Sequence, residues 1–250
     1  MMLNLLPLSP GGCLYKYWGP PKDLAFLAER TRLPLHSGEL TQAAAVMPLG
    51  ATKVGSKQWQ LVALCGVLKH QNLWVEKGRW VGNYRPQCLD TLPFEYVSVD
   101  GRGIIAFDRA SGLEVADTDQ GVPFFTPQGE VHPAVKPYFT MLKRRYTAYK
   151  EVENILGLME KLHLLVPWTR TGLDELGIEA DIEGLYQLDE HVLASLSDID
   201  FLALRTANAL PLVFALKNSA HHLNALGRWS MLSGGRYRQD STVFKFPVGK

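Results

Sequence analysis

The stretch Trp59–Phe94 reads WQLVALCGVLKHQNLWVEKGRWVGNYRPQCLDTLPF, and the rest of the chain is organised around it. An apolar run from Leu61 to Leu68 is followed by turn residues at His70–Asn72. A second short apolar run, Leu73–Val75, ends at Gly78. Trp80, Tyr84, Pro86, Pro93 and Phe94 follow. Apolar runs bounded by turn residues read as strands. The expectation is therefore a two-stranded hairpin, with an aromatic- and proline-pinned segment folding back on it. This unit forms the core of an N-terminal sheet.

Upstream, residues 1–22 are rich in Pro and Gly and carry Tyr15, Tyr17 and Trp18, which suits irregular backbone pinned by aromatics. Asp23 is placed to cap a short helix over 23–30. LPLHSGEL (33–40) starts extended, and AAAVMPLGA runs to a turn at Gly50. Downstream, EYVSVD (95–100), IIAFD (104–108) and LEVAD (113–117) are separated by turns and read as an antiparallel meander. From Pro133 to about Leu162 the period changes. Val135, Tyr138, Phe139, Leu142, Tyr146, Tyr149, Val152, Leu156, Met159 and Leu162 recur at spacings of three and four, the mark of one helix face. Pro133 and Pro137 fit its entry, and Pro167 ends it.

LVPWTR (165–170) and the surroundings of Ile178 and Tyr186 read as short strands. Asp189 caps a helix over 190–196, and Ser197-x-x-Asp200 opens another. Asn208 and Pro211 start a third, carrying Leu212, Val213, Leu216, Ala220, Leu223 and Gly227 on one face. The tail from Ser233 reads as loose.

The composition is globular: 46% hydrophobic, 20% charged, formal charge +1. So small a charge steers the chain toward neither nucleic acid nor an anionic membrane. Cys13, Cys65 and Cys88 are an odd number at unrelated spacings, with no CxxC pair, which suits a reducing compartment. MMLNLLPLSPGG lacks a basic leader region, and no run approaches the roughly 18 apolar residues of a membrane span. The expected location is cytoplasmic.

Over 33–94 and again over 121–162 the chain resembles the SapC family of bacterial proteins. The residues that carry the resemblance are Pro34 and Glu39, Gly66 in LVALCGVL, Asn72-Leu73-Trp74-Val75, Gly78-Arg79-Trp80, Tyr84-Arg85-Pro86, Pro93-Phe94, and the GVPFFTPQGE loop before the long helix. The ends depart from the pattern: the aromatic N-terminus is loosely matched and the tail after Arg228 is longer. The resemblance implies a cytoplasmic-type bacterial protein whose family name comes from surface-layer loci. Family genes often neighbour those for outer-membrane receptors and halogenase-like or oxygenase-like proteins. It brings no catalytic residue onto this chain.

The residues themselves assemble no catalytic constellation. His36 and Glu39 could serve as base and orienting carboxylate, but three apart on a strand they face opposite ways. His221 and His222 are adjacent on a helix, about 100° apart, which is poor chelating geometry. One packs and the other meets solvent. Lys143-Arg144-Arg145, with Glu151 and Glu153 on the same helix, reads as a solvated face, and the tail bases Arg236, Arg238 and Lys245 as a basic cluster. Cys88 lies near Asp90 with no identifiable base. Trp74, Arg79, Trp80, Tyr84 and Arg85 are the binding candidates, since aromatic and Arg side chains on a pinned segment suit an interface or ligand pocket. Core packing is the competing reading for the aromatics.

The resulting expectation is an α+β protein: an antiparallel N-terminal sheet packed on a long central helix, followed by a C-terminal helical section. It is a single unit, with a sheet half (1–130), a helical half (131–232) and a tail (233–250). Its expected function is non-catalytic binding of a protein partner or small ligand through Trp74–Arg85, without cofactor or metal. The alternatives are an oxygenase-like tailoring enzyme and a surface-layer-associated protein.

Overall fold

The central hairpin forms one strand earlier than the apolar run suggests. In the structure, a computed structural model describing residues 4–55, 58–99, 102–169 and 171–237, Leu49–Val54 pairs antiparallel with Gln58–Leu64. The chain 73–75 does not join them.

In chain order the strands are β1 (Leu5–Pro7), β2 (Tyr17–Trp18), β3 (Arg32–Leu35), β4 (Leu49–Val54), β5 (Gln58–Leu64), β6 (Val75–Glu76), β7 (Arg79–Trp80), β8 (Phe94–Val99), β9 (Arg102–Asp108), β10 (Glu114–Val115), β11 (Val122–Pro123), β12 (Leu165–Pro167) and β13 (Leu185–Leu188). The α-helices are α1 (Pro10–Cys13), α2 (Leu40–Ala44), α3 (Lys136–Lys161), α4 (Thr171–Asp174), α5 (Glu190–Ala194), α6 (Asp198–Thr206), α7 (Leu210–Ser219) and α8 (His222–Tyr237). The main sheet has the order β12-β13-β4-β5-β3, a second sheet β1-β9-β8, and a small third sheet β10-β2-β11. All their pairings are antiparallel. The protein is α+β.

Two glycines explain the shifted hairpin. A Cβ on Gly50 would lie 2.9 Å from the Trp168 ring, so this glycine sits inside β4 and admits an indole rather than making the expected turn. A Cβ on Gly66 would lie 2.1 Å from the Gln71 carbonyl oxygen. The chain doubles back there, so the apolar run leaves the sheet after Leu64. The run is continuous because β5 is buried on both faces. Leu61 and Ala63 join one core with α2, α7 and the second half of α3, while Val62 and Leu64 join another with Trp168, Leu173, Leu223 and Leu226. The edge strands β3 and β12 carry Pro34 and Pro167, whose missing N–H groups blunt edge-to-edge pairing.

The long helix was legible, but it packs on two sheets rather than one. Its first half, through Leu142, closes an aromatic core together with the N-cap residue Val135; its second half, through Val152, Ile155, Leu156 and Met159, closes the main-sheet core. In the aromatic core Trp18 meets Phe94 edge-on at 4.8 Å and Phe107 meets Phe124 at 5.0 Å. Each such pair adds about 0.5–1.5 kcal/mol beyond its burial. Tyr146, expected inside, is 39% exposed.

Pro167 does not end this helix. His163 adopts φ 56, its N–H meets the Glu160 carbonyl, and the Leu164 N–H reaches Met159. This Schellman turn is sealed by buried Leu164.

Several further expectations are corrected. The 23–30 helix is a 3-10 turn, Ala25–Leu27, although Asp23 does accept from the Ala25 N–H. AAAV is part of the α2 region, not a run to a Gly50 turn. The segment Glu114–Val115 pairs with β2 instead of continuing the meander; the third strand beside β9 is β1. Ile178 is buried outside any strand. The expected single last helix is broken at Ala220–His221 into α7 and α8, and α8 runs through Tyr237, past the predicted start of the tail. Residues 238–250 lie outside the described residues. Asp189 and Ser197 cap α5 and α6 as expected. Among the described residues no single helix is long and apolar enough to cross a membrane.

Candidate functional site

Between Leu64 and Phe94 the chain is almost without regular structure, so its backbone must be held by side chains. Asn72 is the first fastener. It is buried; its Nδ2 donates to the Leu27 carbonyl (3.0 Å), its backbone N–H to that of Ala28 (2.8 Å), and its Oδ1 accepts from the Trp74 N–H (3.0 Å). From there β6 and β7 form a tight hairpin about Lys77–Gly78, with φ 48 and 74.

Glu39 is the second fastener and is fully buried. Its Oε1 accepts from the Tyr84 hydroxyl (2.5 Å) and the Gln87 N–H (2.7 Å), and its Oε2 accepts from the His36 N–H (3.2 Å). The expected opposition of His36 and Glu39 is overturned here. β3 stops at Leu35, and residues 37–39 turn into a 3-10 helix in a capping box, which brings the two side chains onto one side. His36 Nδ1 accepts from the Gly38 N–H at 3.2 Å, which leaves the ring proton on Nε2, facing Gln87 Oε1 (3.3 Å) and Glu39 Oε2 (3.4 Å). The imidazole stands edge-on to Tyr149 at 5.3 Å. The carboxylate's contacts are thus made within the protein. Burial, and then the neighbouring Glu39, push the Tyr84 phenol well above its ordinary range, so it remains a donor. Burial likewise pushes the Cys88 thiol up, away from thiolate chemistry.

The five residues singled out from the sequence separate into two groups. Trp74 and Trp80 stack at 5.8 Å, and Trp229 of α8 meets Trp74 edge-on at 5.2 Å. Trp80 Nε1 donates to the Tyr84 carbonyl at 2.7 Å. These three tryptophans and Tyr84 are turned onto the protein and buttress the segment. Arg79 and Arg85 are exposed. Arg85 pairs with Asp90 at 2.5 Å, and Asp90 also takes Arg145 at 3.2 Å. Among the described residues Arg79 pairs with no carboxylate. Val81, between them, is 46% exposed.

A second polar cluster lies deeper. Arg30 donates to Glu95 at 2.5 Å and to Asp108 at 2.8 Å, and its Nε to the Arg32 carbonyl at 3.1 Å. Its position between two carboxylates holds the guanidinium charged against the opposing effect of burial. Sequence reading passed over this triad. Its signal is a carboxylate beside an apolar run in each of two paired strands, Glu95 in β8 and Asp108 in β9.

The remaining candidates resolve simply. His221 is exposed, while His222 is half-buried with Nε2 3.2 Å from the Ala44 carbonyl oxygen. Lys143 and Arg144 are solvated, but Arg145 departs from that expectation: its Nη1 donates to the Gln87 carbonyl at 2.7 Å. Arg238 and Lys245 lie outside the described residues, as does the side chain of Arg236. Among the described residues no group of three His, Cys, Asp or Glu side chains is placed to hold a metal ion.

What these elements define is an α+β protein that fastens a long irregular segment to the edge of its main sheet through buried polar groups. The SapC family model matches residues 15–226, and the chain belongs to the SapC family. No curated protein and no solved structure matches it. The residues that carried the family resemblance, Glu39, Gly66, Asn72 and Tyr84 among them, are the ones that hold this segment in place.

Proposed function

We propose that this SapC-family chain is a non-catalytic binding or accessory protein that engages a protein partner through the outer side of the Val75–Arg85 turn. The observation that carries the reading is the division among the five residues: Trp74, Trp80 and Tyr84 face inward as a platform, and Arg79 and Arg85 face outward on either side of Val81. Recognition commonly resides on loops positioned by a rigid scaffold. A loop already fixed loses little conformational freedom on binding. Exposed arginines beside an apolar side chain suit a partner that presents carboxylates around a small apolar contact.

Cytoplasmic residence is part of this reading. The buried free thiols Cys13, Cys65 and Cys88 suit a reducing compartment, and fractionation of the producing cell checks it.

The test is site-specific photo-cross-linking from position 81 in the producing cell. A defined adduct is expected, lost when Arg79 and Arg85 are both replaced by Glu while the thermal midpoint of the purified variant is unchanged. An adduct pattern identical to that from Lys217 on α7, or unaffected by the two substitutions, rejects the reading.

A further inference from the structure

The two cores closed by α3 meet at a polar seam, and a cavity of about 10 Å³ lies in it. Its walls include Gln60 of β5, Glu95 and Tyr96 of β8, Thr91 from the turn before β8, and Tyr149 of α3. That volume is about what one water molecule requires. Independently, Glu95 is only 3% exposed and its Oε2 is fully buried, yet it accepts no hydrogen bond from any described protein group. Its other oxygen is taken by Arg30. A buried carboxylate oxygen without a donor is a costly arrangement, and ordered water is the usual remedy.

We infer that this cavity is a binding site for an ordered internal water that donates to Glu95 Oε2 and joins β8 to β5 and α3. A water needs two to four polar partners. Thr91 gives its hydroxyl proton to the Cys88 carbonyl at 3.1 Å, which leaves its oxygen lone pairs to accept the water's second proton. The Gln60 amide and the Tyr149 phenol complete the shell. The lining is mixed, Phe94 and Leu142 being apolar, but its polar groups separate this site from wholly apolar cavities, which stay dry. Burial pushes the Glu95 carboxyl above the ordinary range despite Arg30. A donor at Oε2 favours the ionised form and so strengthens the pairing with Arg30.

The direct test is a crystal structure of the full chain at a resolution that shows ordered solvent. A density peak within hydrogen-bonding distance of Glu95 Oε2 is expected. The inference fails if the cavity is empty or if Oε2 is turned onto a protein donor. In solution, water magnetic relaxation dispersion compares the wild type with Thr91→Val, whose shape is nearly conserved. Loss of one long-lived water from the variant is expected, with its near-ultraviolet circular dichroism retained. An unchanged relaxation amplitude overturns the assignment.

Discussion

The Tyr84 hydroxyl donates to the buried Glu39 carboxylate at 2.5 Å, closing a loop of 45 residues with one charge-assisted bond. The Trp80 ring is tied to the same residue, since its Nε1 donates to the Tyr84 carbonyl at 2.7 Å. Glu39 receives the Gln87 N–H on the same oxygen, so the bond fixes both ends of the Tyr84–Gln87 turn.

Tyr84→Phe removes one of the buried donors to Glu39 and is expected to destabilise the protein by about 1–3 kcal/mol. Urea denaturation measures this. A double-mutant cycle with Glu39→Gln separates the coupling of the pair from the two single losses.

Arg30→Met leaves Glu95 and Asp108 as buried carboxylates with no cation between them. The expected loss is about 3–5 kcal/mol, the range for breaking a buried ion pair from one side. Replacing all three residues by apolar side chains of similar volume is expected to cost less than Arg30→Met alone. Denaturation midpoints of the single and triple variants decide the order.

Gly66→Ala places a methyl group 2.1 Å from the Gln71 carbonyl oxygen, an atom of the backbone that cannot rotate away. The expected cost is about 3 kcal/mol, the upper part of the overpacking range. Thermal unfolding of the variant checks it.

His222 is held below the ordinary imidazole value by burial and then by neighbouring His221. The unfolded chain therefore binds a proton that the folded chain does not. Its contribution to stability is complete above the ordinary value near about 6.5 and is lost as the pH falls below it. Between about pH 7.5 and pH 5.5 the wild type is expected to lose more stability than His222→Gln. Denaturation series across that range measure the difference.

The long helix was legible because its period of three and four persists over many residues, and the β8–β9 hairpin because EYVSVD alternates and turn residues separate it from IIAFD. The partner of β5 was not legible, because a strand buried on both faces loses the alternation that reveals its orientation. Gly50 then looked like a turn, when its role is to make room for Trp168, a residue 118 positions later that no local pattern connects to it. At the site, Trp74, Trp80 and Tyr84 were recognisable by type. That they face inward while Arg79 and Arg85 face out depends on Glu39 and Asn72, whose partners are distant in sequence. His36 and Glu39 were misplaced for a local reason: the strand ends at Leu35, and the 3-10 turn after it reverses the side-chain geometry that a continued strand dictates.

Buried Glu39 and Asn72 lock an otherwise irregular segment. Amide hydrogen exchange over residues 72–91 reads that lock residue by residue. In the wild type, the N–H groups of Asn72, Trp74 and Gln87 are expected to exchange as slowly as those of β5. In Glu39→Gln, protection is expected to drop at Gln87 while β5 keeps its own. Fast exchange throughout 72–91 in the wild type, or an unaltered pattern in the variant, would show that Glu39 and Asn72 do not lock the segment.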